Sequence, residues 1–109
     1  MTSAICYQNN QVWGSNGCIE DILIKLIKYS PENSLLLQWS LEHYRLFFSG
    51  ICCDLSEILT DAASILEWQE TIQQALDDLK TSSGWTALGL LWIDENREAL
   101  CRIAEAPPT

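Results

Sequence analysis

The sequence predicts an α+β domain, with helices in the middle of the chain packed on a small antiparallel sheet made from hairpins near its two ends. Three observations carry this expectation. Ser34, Gln38, Glu42, Arg45 and Ser49 step at helical period through an otherwise apolar stretch. Residues 86–93 alternate before the turn-rich Asp94-Glu95-Asn96-Arg97. Near the start, two short apolar pieces flank Gln8-Asn9-Asn10-Gln11, where an Asn pair suits a tight turn.

The N-terminal hairpin is expected over about 3–13. Gly14-Ser15-Asn16-Gly17 then opens a helix over about 18–29, with Ser15 or Asn16 as N-cap. Asp21, Lys25 and Lys28 form its narrow wet stripe, and Asp21 and Lys25 stand in the favourable order for an i,i+4 pair. The abundance of isoleucine leaves a strand as the alternative there. Ser30-Pro31-Glu32 predicts the next helix start, because serine caps, proline fits the first turn and an early glutamate suits the positive end of the dipole. This helix, about 31–49, is expected to be central, with a strand as the alternative over 34–42. Asp54 with Glu57 predicts a short helix at about 54–59. Ser64 and Glu67 predict a longer one at about 65–80, with Ile65, Trp68, Ile72, Ala75, Leu76 and Leu79 on one arc. Strands at about 86–93 and 98–103 complete the C-terminal hairpin. The expected organisation is a single domain over 1–105 with a flexible tail over 106–109.

The charge balance is the most distinctive bulk property. The 109-residue chain has 15 Asp and Glu against 6 Lys and Arg, a formal net charge of −9. Such a surface repels phosphate backbones and anionic headgroups, which argues against direct nucleic-acid or membrane binding. It favours association with basic proteins. No basic residue lies between Arg45 and Lys80, a span that holds Asp54, Glu57, Asp61, Glu67, Glu70, Asp77 and Asp78. Asp94 and Glu95 add to this in the expected C-terminal turn. A solvated helix face is the plain alternative to a docking face.

Met1-Thr2-Ser3-Ala4 carries no basic stretch followed by an apolar run, and Cys6, Cys18, Cys52, Cys53 and Cys101 are odd in number and irregular in spacing. The expectation is a cytoplasmic protein with free thiols. Trp39 and Trp68 lie in apolar helical stripes and are expected in the core. Trp13 and Trp85 lie beside glycines at element edges, where core is again favoured over interface, although tryptophan is enriched at binding hot spots.

No motif carries a reaction. Adjacent Cys52 and Cys53 point apart, and His43, the one histidine, sits mid-helix, which disfavours both a zinc site and a Cys/His nucleophile. Asp77-Asp78 and Asp94-Glu95 lack an apolar pocket to separate their pKa values. Calcium loops, phosphate-binding glycine loops and basic aromatic stripes are missing from the sequence. No enzyme, cofactor or metal is therefore expected. In size, acidity and lack of catalytic motifs the chain resembles bacterial toxin-immunity proteins in physical character. The leading expectation is a small inhibitor that neutralises a basic effector, such as a nuclease toxin domain, through Asp54, Glu57, Asp61, Glu67, Glu70, Asp77, Asp78, Asp94 and Glu95, with Trp85 as an aromatic anchor. An acidic chaperone or adaptor acting as a homodimer is the second reading. An enzyme or thiol sensor using Cys52-Cys53 with His43 is the third.

Overall fold

The computed structural model describes residues 2–46, 51–82 and 84–105. The expected class holds: helices α1 to α4 pack on a small sheet. The N-terminal hairpin forms as expected. β1 (Thr2–Tyr7) pairs antiparallel with β2 (Asn10–Ser15), and Gln8 and Asn9 make the turn. Gln8 adopts φ 51°, and its N–H donates to Ser56 Oγ at 3.0 Å.

Ser15 caps α1 (Asn16–Tyr29) by accepting from the Cys18 N–H at 3.2 Å. Ile19, Ile22, Leu23 and Leu26 recur at helical spacing and are fully buried. Each such side chain contributes about 1.5–3 kcal/mol by leaving water. α1 packs against α2, α3 and the sheet, so it is the central helix.

The start expected at Ser30-Pro31-Glu32 belongs to a helix end instead. The Ser30 N–H donates back to Leu26 O at 2.9 Å, closing α1. Asn33 takes φ 61°, which a right-handed helix cannot contain, and Ser34 caps α2 (Leu35–Arg45). The strand alternative for this stretch fails beyond Ser34. The expected residues 47–49 of this helix lie outside the described residues. α2 is peripheral rather than central, because Leu35, Leu41, Tyr44 and Leu46 face solvent. Its apolar composition is thus shared between a buried face, with Leu36 and Trp39, and side chains left at the surface.

The helix expected at 54–59 is a strand end followed by one turn. β3 (Cys52–Asp54) pairs parallel with β1, so the sheet is mixed, in the order β2-β1-β3. The Asp54 carboxylate accepts from Ser56 N–H at 2.9 Å and Ser56 Oγ at 2.6 Å, tightening a turn rather than capping a helix. α1 and α2 form the crossover that a parallel pairing requires. Ala4 stands opposite Cys52 and Cys6 opposite Asp54, which puts the two cysteines diagonally on one sheet face. They are joined as a disulfide. The expectation of free thiols therefore holds for Cys18, Cys53 and Cys101 but not for this pair. The odd count concealed it, because only the unforeseen β1–β3 pairing brings Cys6 and Cys52 together.

α3 (Ala62–Thr81) starts one turn before its expected position. Asp61 and Ser64 form the reciprocal capping box, so Ser64 is the third helical residue rather than the cap. Its apolar arc is as expected, with Trp68, Ile72, Ala75, Leu76 and Leu79 buried.

The C-terminal hairpin does not form. Residues Ala87–Cys101 make one helix, α4, capped by Thr86. Ile93 and Leu100 are buried two turns apart, with Ile103 just beyond the helix end. Asp94–Arg97 contains neither Gly nor Pro, and its charged side chains extend a helix well. The alternation in 86–93 was a chance sampling of a helical stripe. The tail expected at 106–109 lies outside the described residues. Among the described residues, no helix is long and apolar enough to cross a membrane.

Trp68 stands at the centre of the core, fully buried and edge-on to Trp39 with ring centroids 6.4 Å apart. Every tryptophan indole N–H has a protein acceptor. Trp39 donates to Asp54 O, Trp68 to Leu100 O, Trp85 to the Asp21 carboxylate, Trp92 to Trp13 O and Trp13 to the Gln11 side chain. Three of these bonds tie one element to another, the Trp85 bond ties the segment before α4 to α1, and the last lies within β2.

Candidate functional site

The carboxylates singled out in the sequence do not share one surface role. Asp78 is a hub between α3 and α1. Its Oδ2 accepts from Lys28 at 2.8 Å and from the Tyr29 hydroxyl at 2.5 Å, and Oδ1 lies 3.1 Å from the Lys25 ammonium and accepts from Ser82 at 3.1 Å. Its side chain is only 13% exposed. Lys28, then Tyr29 and Lys25, hold its pKa far below the ordinary carboxylate range. Lys28 is raised in turn, chiefly by Asp78. Lys25 therefore meets Asp78 instead of the expected Asp21, which accepts from Trp85 at 2.9 Å.

Asp77 pairs with Arg97 at 2.7 Å and Asp94 with Lys80 at 2.6 Å, both joining α3 to α4. Asp61 caps α3, and the Ser64 N–H lowers its pKa. Trp85 is half-buried against the core. These side chains have partners within the chain, and Asp77 and Asp94 keep theirs at the surface. Glu57, Glu67, Glu70 and Glu95 have no ion-pair partner among the described residues. Glu67 and Glu70 sit on α3, and Glu95 lines a groove beside α4.

Asp54 and Glu57 do come together, in a cleft of about 300 Å³ between α2 and the turn that follows β3. α2 contributes Glu42, Gln38, Leu35, Trp39 and His43, and Ile58 lies on the opposite wall. The floor is held firmly. Trp39 is anchored by its 2.7 Å bond to Asp54 O, and the His43 ring leans on the Trp39 ring, centroids 4.5 Å apart. His43 Nδ1 lies 2.9 Å from Trp39 O. A carbonyl oxygen only accepts, so Nδ1 carries a proton and Nε2 is left for another partner.

The lining therefore combines three carboxylates, apolar walls and an aromatic floor, with no Lys or Arg. That set can receive a cation on a flexible apolar stem. Lys and Arg lay their methylenes on apolar surface while the charged head seeks carboxylates. Sequence reasoning missed Glu42, His43 and Trp39 as members of this group. Gln38 and Glu42 were visible as one polar stripe, but nothing in the sequence linked that stripe to Asp54 and Glu57.

Cys52 is bonded to Cys6, and burial pushes the Cys53 thiol up to about 11. Among the described residues, no three His, Cys, Asp or Glu side chains are placed to hold a metal ion. Comparison with protein-family models, with curated proteins and with solved structures finds no match for this chain.

Proposed function

We propose that this chain is a binding protein that docks a basic protein partner, with the cleft between α2 and β3 receiving a lysine or arginine of that partner. The observation that carries this reading is the lining: Glu42, Asp54 and Glu57 around Trp39, between Leu35 and Ile58. The net charge of −9 would speed the encounter over a longer range. The same features fit an inhibitor of the immunity type that neutralises a basic effector such as a bacterial nuclease toxin. No catalytic role is part of the proposal. The expectation of a cytoplasmic location rests on the first residues and on the cysteine pattern of the sequence. The Cys6–Cys52 bond weighs against it, because such bonds persist where thiols are not kept reduced.

Capture of the partner from the native host, followed by association kinetics, tests the reading. Reversing Glu42 and Glu57 to lysine should lower the on-rate about tenfold or more and flatten its salt dependence. An unchanged on-rate would overturn it.

One observation favours the homodimeric chaperone or adaptor. α2 and its C-terminal cap leave Leu41, Tyr44 and Leu46 exposed. A concentration-independent dimer mass in sedimentation, lost on Leu41→Asp, would favour that reading over the first.

A further inference from the structure

β2 is an edge strand, and the direction of its peptide groups can be derived. The Ala4 N–H donates to Ile51 O at 3.0 Å, and the Leu55 N–H donates to Cys6 O at 2.8 Å. The peptide groups of Ala4 and Cys6 thus face β3. Those of Ser3, Ile5 and Tyr7 must then face β2, which makes Ser3–Gly14, Ile5–Val12 and Tyr7–Asn10 the hydrogen-bonded pairs. Gln11 and Trp13 turn their peptide groups outward, away from the sheet. The 3.0 Å bond from Trp92 Nε1 to Trp13 O is consistent with this. Among the described residues, the N–H and C=O of Gln11 and the N–H of Trp13 have no partner.

The Gln11 groups border a groove of about 810 Å³ between β2 and α4, and the Trp13 N–H lies two residues further along the same edge. Asn10, Gln11 and Val12 line the strand side, and Glu95, Glu98 and Ala99 line the helix side. Glu105 adds a third carboxylate. Arg102, the one base of the lining, is clamped between Glu98 at 3.1 Å and Glu105 at 2.7 Å, so negative charge is in excess.

We propose that this groove takes an extended segment of a basic protein partner, added as a strand beside β2. Its main chain exchanges hydrogen bonds with Gln11, and its lysines or arginines on the helix side meet Glu95 and Glu98. An edge with outward peptide groups selects an extended backbone. The acidic wall selects the sign of its side chains. A second copy of this chain is a poor occupant, because it would bring a net charge of −9 and the same acidic wall. The inference rests on β2 and α4 and stands independently of the cleft beside α2.

Amide-resolved NMR titration of the intact protein tests it, with an acetylated, amidated peptide of alternating lysine and valine as probe. The Gln11 and Trp13 amides should shift and gain protection from exchange. Glu95→Lys with Glu98→Lys should weaken binding by about tenfold or more. Gln11→Pro should do the same while leaving the internal ladder intact, because the Gln11 N–H faces away from β1. The same peptide with N-methylated backbone amides should not bind, and neither should a glutamate-valine peptide. Should Gln11→Pro fail to fold, the N-methylated peptide and the glutamate pair decide alone. Equal binding of the N-methylated or the acidic peptide would overturn the proposal, as would unmoved Gln11 and Trp13 amides. Concentration-dependent dimerisation in sedimentation, abolished by Gln11→Pro, would assign the edge to a second copy and overturn the proposed occupant.

Discussion

The indole N–H of Trp68 donates to the carbonyl oxygen of Leu100 at 2.8 Å, across 32 residues of chain, in a fully buried setting. This bond fixes the depth at which α4 seats against α3. Trp68→Phe keeps an aromatic ring but removes the donor, and leaves a buried carbonyl oxygen near the end of α4 without it. The expected loss is about 1–3 kcal/mol for the orphaned group, together with a smaller packing loss. Urea unfolding measures it. A loss below about 0.5 kcal/mol would mean the carbonyl finds another donor.

Asp78 links α3 to α1 only while ionised. Its pKa is lowered in the folded state, chiefly by Lys28, and Asp61 is lowered by its Ser64 bond. A depressed carboxylate contributes stability that is full above its unfolded value of about 3.9, and that stability is lost as pH falls through the folded value. Stability should therefore drop steeply below about pH 4. Asp78→Asn should be less stable than the native chain at neutral pH, and the difference should shrink as the pH falls. Thermal melts across that range would refute the ionised hub if the difference stayed constant.

Gln8 sits in the hairpin loop at φ 51°, a region that costs a residue with a Cβ about 1–2 kcal/mol. Gln8→Gly removes this cost and adds some backbone freedom to the unfolded chain. A net gain of about 0.5–1 kcal/mol is expected. The Gln8 N–H to Ser56 bond uses the backbone and survives the change. A lower melting temperature for the glycine variant would contradict this.

The Cys6–Cys52 bond closes a loop across 46 residues. Loop entropy alone makes such a link worth about 4 kcal/mol. Unfolding with and without reductant, and of Cys6→Ser with Cys52→Ser, should show a loss of that order. An equal midpoint in both conditions would mean the bond does not constrain the chain.

Burial raises the Cys53 thiol to about 11, and Cys101 is raised as well, chiefly by burial. At pH 8, Cys53 should stay unmodified by iodoacetamide until denaturant is added, because its thiolate is scarce and inaccessible. Fast labelling of Cys53 in the native protein would revive the thiol-sensor reading.

Legibility in the sequence followed the range of the interactions. The apolar arc of α3 was visible because Ile65 to Leu79 sort apolar from charged at 100° per residue. The N-terminal hairpin was visible because its turn chemistry is local. Residues 86–93 misled because helix and strand templates both fit a short apolar run, and only Ile93, Leu100 and Ile103 packing inward distinguishes them. β3 spans three residues whose partner is β1, so no local signal could announce it. The acidic residues were legible as composition. Which of them pair within the fold, as Asp61, Asp77, Asp78 and Asp94 do, and which line a cleft, as Glu57 and the turn-holding Asp54 do, depends on their neighbours in space.

β1 is the middle strand of the sheet, yet it is translated well before the strand that completes it. At roughly 5–20 residues per second, the ribosome needs about 2–9 s to make the 46 residues that separate Cys6 from Cys52. Through that interval the β1 edge at Ala4 and Cys6 has no β3 to pair with, and Cys18 is the first thiol to follow Cys6. The period of greatest exposure to aggregation and thiol mispairing thus falls during synthesis, and chaperone demand should track translation speed through α1 and α2.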